Sequence, residues 1–255
     1  MTPPDHWHEA IAARHSYRSY KDIPVEEEAL ARLEKACAWA GLAGARAVIV
    51  RSRFDEVSRG IAGSYGRIDG APAYAAFIGD TGNPWHEQLA GYLGEGVVLE
   101  AVSIGLSTCW VGGFFFPRVV ATHVELAAGE KVLAVTPLGY RKEHLTRKDR
   151  LFKTVARSRG RKPVTELTTG LPEGSWPGWA RAGLESARLA PSVMNRQPWR
   201  FAVADDAVTL SVDSPRDTYW IPKRLDCGIA MLHFELGALR AGFSGRWMML
   251  DPPAV

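Results

Sequence analysis

The chain has 255 residues, of which 46% are hydrophobic, 10% aromatic and 23% charged, and its 31 Lys and Arg against 28 Asp and Glu leave a formal charge of +3. This is ordinary globular composition, which excludes disordered, collagen-like and disulfide-scaffold chains. So small a net charge makes no case for a nucleic-acid or membrane-surface partner. Cys37, Cys109 and Cys227 are odd in number and lack CxxC spacing, the pattern of reduced structural thiols in a cytosolic protein rather than of a disulfide framework or metal site. The first ten residues hold Asp5, His6, His8 and Glu9, where a secretory leader needs a basic stretch and then an apolar run. The longest apolar runs, such as Ala71 to Ile78, fall well short of the roughly 20 residues of a membrane helix. The reading is a soluble cytoplasmic protein.

In chain order, the His6-x-His8 start reads as a mobile terminus, with half a metal site as the alternative. Leu30, Leu33, Cys37 and Ala40 recur at helical spacing behind Pro24 and the acidic Glu26, Glu27 and Glu28, which predicts a helix over Val25 to Ala40 stopped by Gly41 and Gly44. Ala47 to Val50 and Ala73 to Ile78 are strand-like, with a charged segment between them that is helical at Asp55 to Arg59. Gly60-x-x-Gly63-x-x-Gly66 lacks dinucleotide-fold spacing and reads as a loop. A long helix over His86 to Leu106 follows, then the segment Thr108 to Phe116 and a strand over Lys131 to Thr136 that Pro137 to Tyr140 ends. Arg141 to Lys162 carries ten Lys and Arg and reads as a surface connector. A helix over Trp179 to Ala190, strands over Trp199 to Ala204 and Ala207 to Val212, and a last helix over Leu225 to Ala241 complete the chain.

The two long helices carry a repeat. Laying Gly91 on Gly228 also matches Leu99 with Leu236, Ala101 with Ala238, Gly105 with Gly242, Ser107 with Ser244 and Trp110 with Trp247. A shorter match pairs Leu33-Glu34-x-Ala36 with Leu184-Glu185-x-Ala187. Two copies are too few for a solenoid. They predict one domain, 1–255, made of halves 1–145 and 146–255 related by a pseudo-twofold axis, as in a homodimer fused into one chain. Such a chain is expected to be a monomer, with a homodimer left open.

Three motifs carry chemistry. In an extended stretch, Arg14, Ser16 and Arg18 fall on one side and offer two guanidinium forks and a hydroxyl, a set suited to a phosphate; the alternative is a helix end with two solvated arginines. Pro191-Ser192-Val193-Met194-Asn195-Arg196-Gln197-Pro198-Trp199 is a loop held by two prolines that presents a hydroxyl and two amides, a match for a planar heterocycle with alternating donors and acceptors; the alternative is a turn that caps the preceding helix. In Thr108-Cys109-Trp110-Val111-Gly112-Gly113-Phe114 the paired glycines let backbone amides approach a ligand, or simply bend a strand.

Together these segments resemble the nitroreductase-like family of FMN-binding flavoproteins, and Leu138-Gly139-Tyr140 and Arg161-Lys162-Pro163 are similar to its later segments. The resemblance implies an α+β fold with a central, mainly antiparallel sheet flanked by helices. It also implies FMN as cofactor, NAD(P)H as electron donor, and a small electron-poor acceptor such as a nitroaromatic or quinone, reduced in a ping-pong exchange. By that resemblance Arg14, Ser16 and Arg18 hold the phosphate with Arg161 or Lys162 adding charge, and Pro191, Ser192, Asn195 and Gln197 form the loop at the ribityl chain and ring. The backbone of Val111, Gly112 and Gly113 would lie by flavin N5 and O4. The chemistry would belong to the cofactor, so no side chain is singled out as catalytic.

One departure stands out. In usual homodimeric members the phosphate signature and the Pro-Ser-x-x-Asn loop lie close together near the N-terminus, whereas here they sit in opposite halves, and Gly41 to Arg46 lacks the loop motif. This points to one composite flavin site whose symmetry mate has degenerated. A flavin-binding carrier or sensor without turnover is the alternative from another class. Tyr65, Trp85 and Trp220 are candidates for an acceptor-facing wall, while Trp110, Trp247 and His233 read as core. No Gly-x-Ser-x-Gly elbow supports a hydrolase.

Overall fold

The computed structural model describes residues 2–59, 68–143 and 160–250. The Gly60–Gly66 loop, Tyr65 and most of the basic connector lie outside the described residues. Helices α1 (His6–Ala13), α2 (Glu27–Ala38), α3 (His86–Ser103), α4 (Pro117–His123), α5 (Gly178–Arg188) and α6 (Lys223–Arg240) alternate with strands β1 (Ala45–Val50), β2 (Ala73–Asp80), β3 (Glu130–Leu138), β4 (Thr168–Gly170), β5 (Trp199–Val203) and β6 (Val208–Val212).

Hydrogen bonding groups the strands into two three-stranded sheets rather than the one central sheet expected. In the first, β1 and β3 both run antiparallel to β2; β2 is buried along almost its whole length, so it reads as a continuous apolar run instead of an alternation. In the second, β5 pairs antiparallel with β6 and parallel with β4. Pro137 does not end β3 but pairs with Tyr74 inside it, which is tolerated because β3 is an edge strand and need not donate on its open side.

The start of the chain is a helix and not a mobile terminus. Trp7, Ala10 and Ile11 of α1 are buried, and the Trp7 indole donates to the Glu100 carboxylate at 2.6 Å. The same carboxylate takes His6 Nε2 at 2.7 Å and Arg32 Nη2 at 2.6 Å, so one buried residue of α3 ties down both α1 and α2. Burial alone would raise the Glu100 pKa, but the bonds from His6, Trp7 and Arg32 outweigh it and hold the pKa below the usual carboxylate value. Among the described residues no cluster of metal-binding side chains includes His6 or His8.

Helices α3 and α6 form the centre of the molecule and pack closest where both present glycine. A side chain on Gly91 would meet the Leu225 carbonyl at 2.0 Å, and one on Gly228 would meet the Gln88 carbonyl at 1.9 Å. Helix α6 joins two apolar clusters: one with α1 to α3 and the first sheet, the other around Trp199 and Phe201 of the second sheet and α5. The order helix, strand, strand, helix occurs twice, as α2-β1-β2-α3 and α5-β5-β6-α6. All three cysteines are free thiols, Cys109 and Cys227 buried and Cys37 half-buried; burial pushes the Cys37 pKa up to about 12. No helix among the described residues is long and apolar enough to cross a membrane.

Candidate functional site

Helix α1 ends at Arg14, whose backbone is already extended. From there the chain runs beside the segment that follows α3: Ser16 bridges to Thr108, and the Tyr17 amide donates to the Thr108 carbonyl at 3.0 Å. Beyond it Arg18 and Tyr20 bracket Asp69 through backbone bonds. Arg14 is 9% exposed, yet its Nε and Nη1 make no hydrogen bond among the described residues. Thr108, 1% exposed, likewise leaves Oγ1 unbonded. Buried donors without acceptors are costly, about 1–3 kcal/mol each, and such groups are rare in folded proteins.

The second cation at this place comes from the far end of the connector. Burial first, and then the positive charges of Arg14 and Arg188, depress the Arg161 pKa to about 10, so Arg161 lies within electrostatic range of Arg14 in a poorly solvated setting. Arg161 donates to Asn195 Oδ1 at 2.5 Å, and the Asn195 amide returns a bond to the Gly160 carbonyl. Gln197 accepts from the Lys162 amide at 2.9 Å and donates to the Gly160 carbonyl at 3.3 Å. Lys162 is lowered in pKa by burial and then by Arg200. The loop amides therefore point at residues 160–162 and hold Arg161 in place.

That loop is strained. Met194, Asn195 and Gln197 have φ of 47°, 56° and 48°, a left-handed conformation that costs residues other than glycine roughly 1–2 kcal/mol. The hydroxyl of Ser192 accepts from the Gln197 amide at 3.0 Å. Arg196, which the sequence reading passed over, is the clamp: its Nε meets Asp226 at 2.7 Å, and its other nitrogens donate to the carbonyls of Thr218, Ile221 and Pro222. Asp226, in the first turn of α6, also accepts from the Val193 amide at 3.3 Å. Complete burial raises the Asp226 pKa to about 6, more than its bond to Arg196 lowers it.

The turn clamped by Arg196 connects the loop with the paired glycines. Side chains on Gly112 and Gly113 would meet Ile221 at 3.0 and 3.1 Å, so any larger residue there would push Ile221 back by a few tenths of an ångström. Val111 bridges to Val135 on β3. Tyr219 and Trp220 both have positive φ, 61° and 55°, and Trp220 is fully exposed. Three of the sequence-predicted groups are thus brought together: the Arg14–Arg18 strand beside Thr108, the Pro191–Gln197 loop with Arg161 and Lys162, and the glycine turn with Trp220. Trp85 is elsewhere, in a cavity of about 530 Å³ lined also by Trp179, Phe243 and Trp247. Trp110 and Trp247 donate their indole N–H groups to Glu95 and Glu235 and are half-buried packing residues, as expected. His233 is fully buried and hydrogen-bonded; its partner Glu95 and Asp226 belong to no local motif, and Arg196, though inside the loop motif, takes its role only from its partner Asp226 on α6.

The family model described as "Putative TM nitroreductase" matches residues 7–238. A Thermotoga maritima crystal structure described as a "putative nitroreductase" is 21% identical, covering 94% of this chain and 85% of its own, with a TM-score of 0.55. A Bacteroides fragilis nitroreductase with bound FMN is 20% identical over 55% of this chain and 90% of its own, with a TM-score of 0.44. No curated protein matches the chain.

Proposed function

The chain belongs to the TM nitroreductase family, and from that premise we propose that it is an FMN-dependent oxidoreductase that takes electrons from NAD(P)H and passes them to nitroaromatic or quinone acceptors by a ping-pong exchange. The observation that carries the flavin reading is Arg14: a buried guanidinium with two donors unbonded among the described residues, within electrostatic range of Arg161, on the segment that runs beside Thr108, whose hydroxyl is unbonded too. A phosphate ester would satisfy all of these at once, through bidentate charge-assisted bonds. Ser16 and Arg18 extend this pocket along the same segment, and Lys162 adds charge at its rim.

FMN, when bound, supplies reversible two-electron chemistry at its ring. The chain's own residues bind and orient it. Asn195 and Gln197 hold Gly160 to Lys162 in place, which sets Arg161 against the phosphate pocket. Pro191 and Ser192 shape the loop beside the ribityl chain and ring. Val111, whose N–H is bonded to the Val135 carbonyl at 2.9 Å, fixes the turn to β3, and Gly112 and Gly113 offer backbone N–H groups to the ring's polar edge, a preorganised dipole of the kind that stabilises developing negative charge. Trp220 and Tyr219 form the acceptor-facing wall.

The two helix-strand-strand-helix units are read as related copies that together make one composite site. Their central contact supports this, since Gly91 and Gly228 are repeat-related and each meets the opposite helix backbone. The repeat-related tryptophans are held alike: Trp110 donates to buried Glu95, which also takes the opposite helix's His233, and Trp247 donates to half-buried Glu235, which also takes the opposite helix's Tyr92.

The test is a spectrum of the purified protein with flavin counted per chain, together with FMN titrations of the unsubstituted and Arg14→Ala/Arg18→Ala proteins. One yellow flavin per chain, with affinity lost in the double variant, is expected. A chain that takes no flavin, or a double variant that binds FMN unchanged, overturns the reading.

A further inference from the structure

Beneath Arg14 lies a buried acid–base pair that no local motif marks. Glu95, midway along α3, and His233, on α6, are both fully buried, and Glu95 Oε1 is 2.8 Å from His233 Nε2. Glu95 Oε2 accepts the Trp110 indole N–H at 2.6 Å. His233 Nδ1 lies 3.2 Å from the Ser186 carbonyl; a carbonyl can only accept, so Nδ1 carries a hydrogen. The bond between Nε2 and Oε1 then needs one more proton. Whether it rests on the imidazole or the carboxyl, the pair as a whole is neutral.

Arg14 Nε stands 4.0 Å from the same Oε1, too far for a hydrogen bond but well within reach of Coulomb attraction at a site with so little water. The acid's two oxygens are already occupied by Trp110 and His233. Glu95 can therefore draw the guanidinium toward α3 without using up its donors. The pair adds no net charge, so it orients Arg14 through the negative end of the Oε1 dipole alone and leaves the guanidiniums of Arg14 and Arg161 uncompensated, the complement of a phosphate dianion.

We propose that Glu95, oriented by His233 and Trp110, is the positioning residue for the phosphate-binding guanidinium of Arg14. The inference rests on the flavin reading above. It makes a prediction that simple charge counting does not. Glu95→Gln keeps the size, can still bond Trp110 and His233, and leaves the pair neutral, but puts an amide where the carboxyl oxygen faced Arg14. If only net charge mattered, FMN affinity would not change. If Glu95 positions Arg14, FMN binds more weakly, because the misplaced guanidinium loses charge-assisted bonds whose removal costs roughly 10- to 100-fold in affinity.

The experiment measures dissociation constants for FMN and for riboflavin, which lacks the phosphate, by flavin fluorescence quenching on apoprotein. The proteins are wild type, Glu95→Gln, His233→Gln, Arg14→Ala and the Glu95→Gln/Arg14→Ala double variant. The expected result is a loss of at least about tenfold for FMN in Glu95→Gln, a smaller loss in His233→Gln, riboflavin affinity unchanged in both, and no further loss when Glu95→Gln is added to Arg14→Ala. A general packing defect would weaken both flavins alike, and that result overturns the proposal. So does FMN affinity in Glu95→Gln equal to or tighter than wild type while Arg14→Ala loses it, and in that case the flavin reading stands. If Glu95→Gln does not fold, His233→Gln decides alone: a loss confined to FMN supports the proposal, and an equal loss of both flavins or none overturns it. A wild type that binds no FMN overturns the flavin reading and this inference with it.

Discussion

Replacing Arg196 by Met tests the clamp that fixes the Pro191–Gln197 loop, because it keeps the side chain's bulk and removes its charge and donors. Arg196 and Asp226 are 9% and 2% exposed and meet at 2.7 Å, so the variant leaves Asp226 buried without its cation, a change that costs about 3–5 kcal/mol in comparable buried pairs. The cost depends on pH. Burial holds the folded-state pKa of Asp226 at about 6, above its ordinary value of 3.8; a raised acid contributes stability that is full below the unfolded pKa and lost as pH rises through the folded one. An adjacent cation lowers an acid's pKa by roughly 1–3 units, and each unit is worth about 1.4 kcal/mol. Without Arg196 the folded pKa therefore climbs further. Because only the span between the wild-type value of about 6 and pH 8 is titrated, the penalty of Arg196→Met relative to wild type should then be larger at pH 8 than at pH 5 by about 1.3–2.7 kcal/mol. Urea unfolding followed by tryptophan fluorescence at the two pH values measures it. A penalty under about 1 kcal/mol at pH 8, or one equal at both pH values, refutes the reasoning that this ion pair is the clamp.

Gly228→Ala should destabilise by several kcal/mol, since its Cβ would sit 1.9 Å from the Gln88 carbonyl and the helices cannot separate cheaply, whereas Gly178→Ala, with open space around it, should be near neutral; thermal melts of the two compare them directly. Glu100→Gln should flatten the pH dependence of stability in acid: its pKa is lowered in the fold, so its contribution is present above the unfolded value of 4.5 and lost as pH falls through the folded one. Urea midpoints between pH 3 and 6 that decline equally in variant and wild type would count against this. Trp220→Ala, at a fully exposed side chain, should leave melting temperature and FMN content unchanged and raise KM for planar acceptors by roughly 2- to 10-fold, the worth of one aromatic contact; steady-state kinetics with a quinone reads it.

Long apolar periodicities were legible in the sequence, because burial dictates them: β2, α3, α5, β5, β6 and α6 lie within a few residues of expectation. The elements that escaped were short or depended on distant partners. Helix α1 has only Trp7, Ala10 and Ile11 as its buried face and is fastened by Glu100, far away in sequence. Helix α4 is seven residues long, too short for an apolar periodicity to show. Strand β4 has three residues and exists through pairing with β5. At the candidate site, the phosphate signature, the proline-bounded loop and the paired glycines were visible as motifs. The side chains that hold them were not, because Glu95 with His233 and Arg196 with Asp226 meet only when α3, α6 and the loop are folded together.

The central claim is that bound flavin shuttles electrons from a nicotinamide donor to an electron-poor acceptor. It is tested most directly by anaerobic stopped-flow mixing of the FMN-loaded chain with NADH or NADPH, followed by a nitroaromatic or quinone. Rapid bleaching of the yellow colour by at least one donor and its return on adding acceptor is the predicted result; a stable yellow protein inert to both donors would contradict the account and favour a carrier or sensor.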